Sequence, residues 1–502
     1  MRCAALPVCL AALATAPVAV ADEFSATRSD KLVEKSHTVE ITLRRDHAVI
    51  EVERHVFNGG ERPDQATFHI FPGSELVATG LRTQAIVDGQ PVWFEGELME
   101  AEAAAEKYRE LTGIGGYYPK DPALLSWRSQ GHLALQVFPC MPKQDKRVSY
   151  TLIAPMRYEN GKHVLVLPRS GTEEVEPKGT ARADGGKGTM DGADLPAKIT
   201  LDAEHRFEQT PTFFGPVGGR LASVPFGKSR VLAGFHLDVA PKLGAVPTSA
   251  RLVVILDGSR SMDDDARAAS RAAALAYVDQ FSGAGVKAAV LGFHRKVDDI
   301  AGGFATLDKA REAIGTATMA SKNGSEVSAA LTRAGELLAL APDGASRRVV
   351  LFTDLRTKRA LSPDVVRAAL PKGAILHIVT ANEGSPSLTR DDDGEWAALP
   401  RATGGVLWQA SATSATDSVA EMKSVFEELA RPVRIDRASI TAPGLDDAWA
   451  GMSFAEGEGF EHHLVSDQPM TRVTLEGELW SKKTKKVLVP DAEYGRLRAA
   501  LY

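Results

Sequence analysis

Cysteine is almost missing from this chain: 502 residues hold three, and two of them, Cys3 and Cys9, fall in the first few turns of sequence. Cys140 stands alone beyond them. A chain that loses its first segment therefore has no intramolecular disulfide, which excludes the small disulfide-stapled class and leaves stability to hydrophobic cores. In the run LALQVFPCMP, Cys140 reads as a buried apolar residue. Charge of one sign is also lacking. The 59 basic and 65 acidic residues are mixed throughout, for a net charge of −6, which excludes a nucleic-acid-binding class. Past the first segment no run approaches the roughly 20 apolar residues of a spanning helix. Nucleophile elbows of the form GxSxG, phosphate-cradling GxxxxGKS and dinucleotide GxGxxG are absent as well.

The first segment, MRCAALPVCLAALATAPVAVADE, has a positive start at Arg2, an apolar stretch from Ala4 to about Ala16, and small residues Ala19 and Ala21 at the spacing of a signal-peptidase site. Residues 1–21 are read as a signal peptide and Asp22 as the first mature residue, so the protein is expected outside the cytoplasm. A lipidated cysteine would require Leu6 to Cys9, which contains Pro7 and comes too early.

The rest of the chain shows three textures. From Lys35 to Asn58, VEITL and AVIEVERHVF alternate apolar and polar residues about the turn RRDH, the pattern of a hairpin. More alternation appears at QATFHIF, LRTQAIV, HLALQVF and RVSYTLIAPMRY, interrupted by a helix expected over Leu98–Leu111. A β-sandwich with one helix is expected here. From Arg169 to Lys198 the apolar signal fades into SGTEEVEPKGTARADGGKGTMDGAD, read as a long loop or linker. From Leu252 onward, short β-branched runs (LVVIL, KAAVLGF, RRVVLFT, AILHIVT, GVLWQA) alternate with amphipathic helices. That alternation indicates a doubly wound parallel sheet covered on both faces.

In such a sheet, ligands bind at the carboxyl ends of strands near the point where strand order reverses. LVVIL ends in DGSRS, which places Asp257, Ser259 and Ser261 at alternate positions of a strand-to-helix turn. Asp, Gly and Ser are ordinary turn residues, so the motif gains meaning only if later strands also end in oxygen donors. Asp354 comes after RRVVLFT, and Ser325 stands in the loop ahead of EVSAALTRAGELL. Two carboxylates and three hydroxyls are hard oxygen donors suited to Mg²⁺, with Mn²⁺ or Ca²⁺ as alternatives. So few charged ligands leave the cation poorly neutralised and open to a carboxylate from outside.

These residues resemble the von Willebrand factor type A domain, whose metal-ion-dependent adhesion site combines DxSxS with a later Thr and a later Asp. Asp257, Ser259, Ser261 and Asp354 match. Ser325 stands for the threonine and keeps the hydroxyl, whereas Leu355 replaces the usual glycine after the last Asp. Leu355 and Arg260 are expected to narrow access or weaken the metal. A second resemblance, to the vault protein inter-alpha-trypsin domain, rests on AEKYREL, DPALLSW and the VFP strand. Together they imply the architecture of inter-alpha-trypsin inhibitor heavy chains and their bacterial secreted relatives.

The expected layout is a signal peptide over 1–21, a vault protein inter-alpha-trypsin β-sandwich over 22–163, a linker with β segments over 164–248, a type A domain over 249–432, and C-terminal β segments with a short helix over 433–502. Because domain termini often lie close together, the type A domain is expected to be inserted into one β-sandwich built from both flanks, with RIDRASIT sharing a sheet with strands before Pro247. The expected function is metal-assisted binding of a protein carboxylate in the periplasm, at the cell surface or in the medium of a bacterium. A structural envelope component with a lapsed metal site is the alternative. A hydrolase is disfavoured: phosphatases of the haloacid dehalogenase type need a second Asp where Ser259 stands. His462 and His463 are adjacent and face opposite sides of a strand, and His294 in GFHRK reads as capping a strand. The sequence names neither partner nor oligomeric state.

Overall fold

The structure, a computed structural model, describes residues 22–73, 75–97, 101–111, 123–317, 323–356, 361–443, 445–480 and 482–501. The expected signal peptide lies outside them. The chain is a strand-rich α/β protein with several sheets.

The expected hairpin forms between Leu32–Arg44 and His47–Asn58. It is the centre of a seven-stranded sheet that also takes Asp145–Pro155, Val77–Val87 and Gln90–Glu95. A four-stranded sheet, including Asp64–Ile70 and His132–Cys140, packs over it. Their inward side chains, among them Ile41, Ile50, Phe68, Leu135 and Tyr150, form one core. Cys140 is buried within that core, its thiol directed at the Val137 carbonyl. The helix expected over Leu98–Leu111 is observed at Ala101–Leu111.

The polar segment after Arg169 departs from expectation. Pro177–Ala183 is a strand that joins the seven-stranded sheet by parallel pairing along Leu32–Arg44, and Gly186–Met190 pairs with His205–Pro211 in a further sheet. Composition misled because a strand is held in a sheet by backbone hydrogen bonds, here also to Ile199–Thr200 on its other side, more than by apolar side chains. Gly179 lies so close to the neighbouring strand that a Cβ there would stand 1.6 Å from the Val39 carbonyl oxygen. Leu165, Leu167, Ile199, Leu201 and Phe207 complete the amino-terminal core, so this stretch packs with the first sandwich.

A second sandwich comes next. Val217–Phe226 and Arg230–Val239 pair in a sheet with Gly459–Ser466, a strand that arrives more than two hundred residues later. The facing sheet is Leu445–Ala455, Arg434–Ala442, Val473–Leu479 and Lys482–Leu488. RIDRASIT therefore lies in the facing sheet and not beside the strands before Pro247; Gly459–Ser466 makes that connection. Phe235, Leu237, Ile435, Ile440 and Leu475 share one core, so strands from both flanks of the α/β unit build a single sandwich. The C-terminal helix Ala492–Leu501 is capped by Asp491, whose Oδ1 accepts from the Glu493 and Tyr494 N–H groups.

Between these flanks the sheet runs in the order Val297–Asp299, Gly285–Phe293, Ser249–Asp257, Ser346–Phe352, Ala374–Glu383, Leu407–Ala412, Ser387–Arg390, with the five central strands parallel. Apolar side chains pack on both faces, Val254 and Leu256 on one, Val253 and Ile255 on the other. Alternate residues of a strand point to opposite faces, so burial of both sets explains why LVVIL shows no polar alternation. Chain order reverses between Ser249–Asp257 and Ser346–Phe352, which places Asp257 and Asp354 at the switch point.

Candidate functional site

Asp257 is the last residue of its strand and is buried. Its Oδ1 accepts from the Ser259 N–H at 2.7 Å, a local turn bond that bends the chain away from the sheet. Gly258 donates to the Phe293 carbonyl across the strand boundary. Ser259 Oγ and Ser261 Oγ then lie 3.0 Å apart, as alternate positions of one turn should. Helix Asp264–Val278 starts immediately after, capped by Asp263, whose carboxylate accepts from the Ala266 N–H at 2.7 Å.

Asp257 Oδ2 accepts from the Thr353 hydroxyl at 2.6 Å. Sequence reasoning missed Thr353, although it stands beside Asp354 at the end of a buried strand, where a hydroxyl needs a partner. The same hydroxyl accepts from the Leu355 N–H at 3.1 Å. Leu355 is held at φ 59°, a left-handed conformation that glycine adopts at no steric cost. Its side chain packs on the core with Val253 and Ile255. Arg260, the other residue expected to restrict the site, is exposed.

Burial pushes the Asp257 carboxyl above the usual carboxylate range. Hydrogen bonds from Thr353 and Ser259 pull it back, and the nearby Asp354 charge pushes it further up. Asp354 Oδ1 accepts from the Arg356 N–H, whereas Oδ2 is buried with no hydrogen-bond partner. Ser325 Oγ is likewise buried without a partner. Ser325 follows Gly324, which sits at φ 111°, and precedes Glu326, whose N–H donates to the His294 carbonyl. His294 directly follows Phe293, the cross-strand neighbour of Asp257. The loop carrying Ser325 is thereby tied to the strand end beside the DGSRS turn. His294 itself lies just past its strand, with Nδ1 accepting from the Lys296 N–H.

The donor set is therefore two carboxylates and several hydroxyls at the carboxyl edge of the sheet, with two buried oxygens unpaired. Buried oxygens seldom stay unpaired in native proteins. Among the described residues no group of three or more His, Cys, Asp or Glu side chains is placed to hold a metal, so a cation here depends on the serines. Among the described residues, too, no helix is long and apolar enough to cross a membrane.

Residues 252–356 match the family model described as von Willebrand factor type A domain. No curated protein matches the chain. Among solved structures, the conserved hypothetical protein BatB from Bacteroides thetaiotaomicron is 15% identical over 36% of this chain and 97% of its own, with a TM-score of 0.28. Proximal thread matrix protein 1 from the mussel byssus, described with a zinc-occupied MIDAS motif, is 15% identical over 39% of this chain and 51% of its own, with a TM-score of 0.30. Thus this chain spans about half the length of the mussel protein. The type V pili tip protein Mfa5 from Porphyromonas gingivalis is 9% identical over 55% of this chain and 77% of its own, with a TM-score of 0.25. Residues 252–356 of this chain are a von Willebrand factor type A domain.

Proposed function

We propose that the type A domain binds a divalent cation, Mg²⁺ first, through Asp257, Ser259, Ser261, Ser325 and Asp354, and uses it to hold a carboxylate of a partner protein outside the cytoplasm. The observation that carries this reading is that Asp354 Oδ2 and Ser325 Oγ are buried without a hydrogen-bond partner, with the Asp354 charge acting on the Asp257 carboxyl. The cation would supply a positive charge that two carboxylates leave incompletely neutralised, and a carboxylate from outside would complete its shell. The residues' own task is to hold those oxygens in place. Thr353 and the Ser259 N–H orient Asp257, and Gly324 turns the loop that carries Ser325.

The amino-terminal sandwich fits a vault protein inter-alpha-trypsin domain through AEKYREL and the VFP strand, and the first segment fits an export signal. These support the layout of a signal peptide, that domain, a type A domain and flanking β segments. They also support a place at the bacterial cell surface, in the periplasm or in the medium. A structural role with a lapsed site draws on one observation, Leu355 at φ 59° where the resemblance has glycine.

Isothermal titration of Mg²⁺ into the wild type and Asp257→Ala separates the two. Heat in the wild type and none in the variant is expected; no heat in either sinks the metal-dependent function. Capture of an envelope protein that EDTA abolishes is the expected companion result. Turnover of phosphate or peptide substrates, lost in Asp257→Ala, would instead favour a hydrolase.

A further inference from the structure

The charges in direct contact with buried Arg54 do not balance. Arg54 is fully buried; its Nη1 donates to Glu34 Oε1 at 3.0 Å, its Nη2 to Asp22 Oδ2, and its Nε to the Tyr150 hydroxyl at 3.3 Å. Asp22 and Glu34 are themselves buried. One guanidinium thus faces two carboxylates inside an apolar core, and an unmatched buried charge is costly. Glu34 registers the excess. Burial pushes its carboxyl above the usual range, Arg54 and Thr172 pull it down, and Asp22 pushes it up again. His37, which shares the adjoining cavity with Asp22, does not supply the missing cation, because burial and Arg54 hold its pKa well below the ordinary histidine value.

Asp22 cannot swing away to relieve this. Besides Arg54, its carboxylate accepts from the Phe71 and Gly171 N–H groups at 3.3 and 3.2 Å, and the strand Glu23–Ala26 after it is paired with Asp64–Ile70. Asp22 is also the residue after Ala19-Val20-Ala21, the small-residue spacing of a signal-peptidase site. In a precursor its nitrogen is a neutral amide.

We propose that hydrolysis of the Ala21–Asp22 bond supplies the missing cation: water adds across the amide, Ala21 leaves with the new carboxylate, and Asp22 keeps the nitrogen as an ammonium beside its own buried carboxylate. Arg54 and the new ammonium then balance Asp22 and Glu34. Processing completes the amino-terminal core, and the uncleaved chain holds a weaker sandwich until export is done. This role for cleavage rests on the export reading and goes beyond it.

Two measurements keep the parts distinct. The intact mass of the exported protein should correspond to a chain beginning at Asp22; any other first residue refutes the processing step. Separately, residues 22–502 with a free Asp22 amine are compared in thermal unfolding with the same chain N-acetylated, each also carrying Glu34→Gln. The free-amine form should melt higher by roughly 2–4 °C, and the gap should close in Glu34→Gln, where one carboxylate already matches Arg54. Equal melting of the free and acetylated wild-type chains refutes the ammonium's role, and so does a gap that Glu34→Gln leaves intact. Acetylation alters no side chain, so that comparison stands even if Glu34→Gln fails to fold.

Discussion

Thr353→Val tests whether the site is held together as its geometry implies. Valine keeps the shape of threonine and removes one oxygen, which now donates to Asp257 Oδ2 at 2.6 Å and accepts from the Leu355 N–H at 3.1 Å. Thr353 and Asp257 are both buried, so water does not replace the lost bonds. A hydrogen bond to a charged group contributes about 1.5–3 kcal/mol and a neutral one about 1 kcal/mol. Their joint loss should cost about 2–4 kcal/mol, seen as a fall in the urea midpoint at unchanged slope. The Asp257 carboxyl, already pushed up by burial, would rise further without its donor. A cation competes with the proton for the carboxylate, and loss of a group that orients a metal ligand typically costs about 10–100-fold in metal affinity. Titration of Mg²⁺ by calorimetry reads this directly. Thr353→Ser keeps the hydroxyl and should behave nearly as wild type. Wild-type Mg²⁺ affinity in Thr353→Val would refute the reasoning, as would Thr353→Ser failing as badly as Thr353→Val.

Trp480, at the tip of the Val473–Leu479 hairpin, covers the buried Arg348 guanidinium of the α/β sheet at 3.8 Å from its ring centroid. Burial holds the Arg348 pKa down to about 9. Trp480→Ala should therefore destabilise the protein by about 3–5 kcal/mol in urea unfolding, and a loss below about 1 kcal/mol would show that the ring is not what shelters the guanidinium. At the junction of the two sandwiches, buried Asp238 lies 3.4 Å from His163 and 3.5 Å from His236. Burial opposes the Asp238 charge, but His236 and His163 outweigh it and hold the carboxyl far below the usual range; for His236, burial is likewise outweighed by Asp238, which raises its pKa. The Asp238 contribution is present above the ordinary carboxylate range and fades as pH falls below it. The His236 contribution is present below the ordinary histidine range and fades as pH rises through its raised pKa. Urea midpoints should accordingly decline on the alkaline side in the wild type, and Asp238→Asn should abolish that decline; its persistence would place the titrating group elsewhere.

Much of the α/β unit was legible because burial leaves a local trace. A strand covered on both faces reads as an unbroken apolar run, and LVVIL followed by DGSRS is enough to place Asp257 at a strand end. The pattern also located Asp354 just past a later strand and Ser325 in the loop ahead of the helix Val327–Ala339. Less legible was whatever depended on a partner's identity. The hydroxyl of Thr353 finds Asp257 only because two strands ninety-six residues apart lie side by side. The strand Pro177–Ala183 is polar and glycine-rich, and nothing in its own composition says that Leu32–Arg44 offers it a parallel edge.

By itself, then, the sequence determined the α/β type of residues after Leu252, the turn that aligns Ser259 with Ser261, and the β character of the amino-terminal region, since periodicity records which faces are buried. Tertiary structure alone decided that Gly459–Ser466, and not RIDRASIT, joins the strands before Pro247, that Thr353 orients Asp257, that Asp354 Oδ2 and Ser325 Oγ are left without partners, and that Asp22 reaches Arg54. Those are pairings between residues far apart in the chain. Each depends on which strand lies beside which, a choice made by the summed packing of whole sheets and not by any local run of residues.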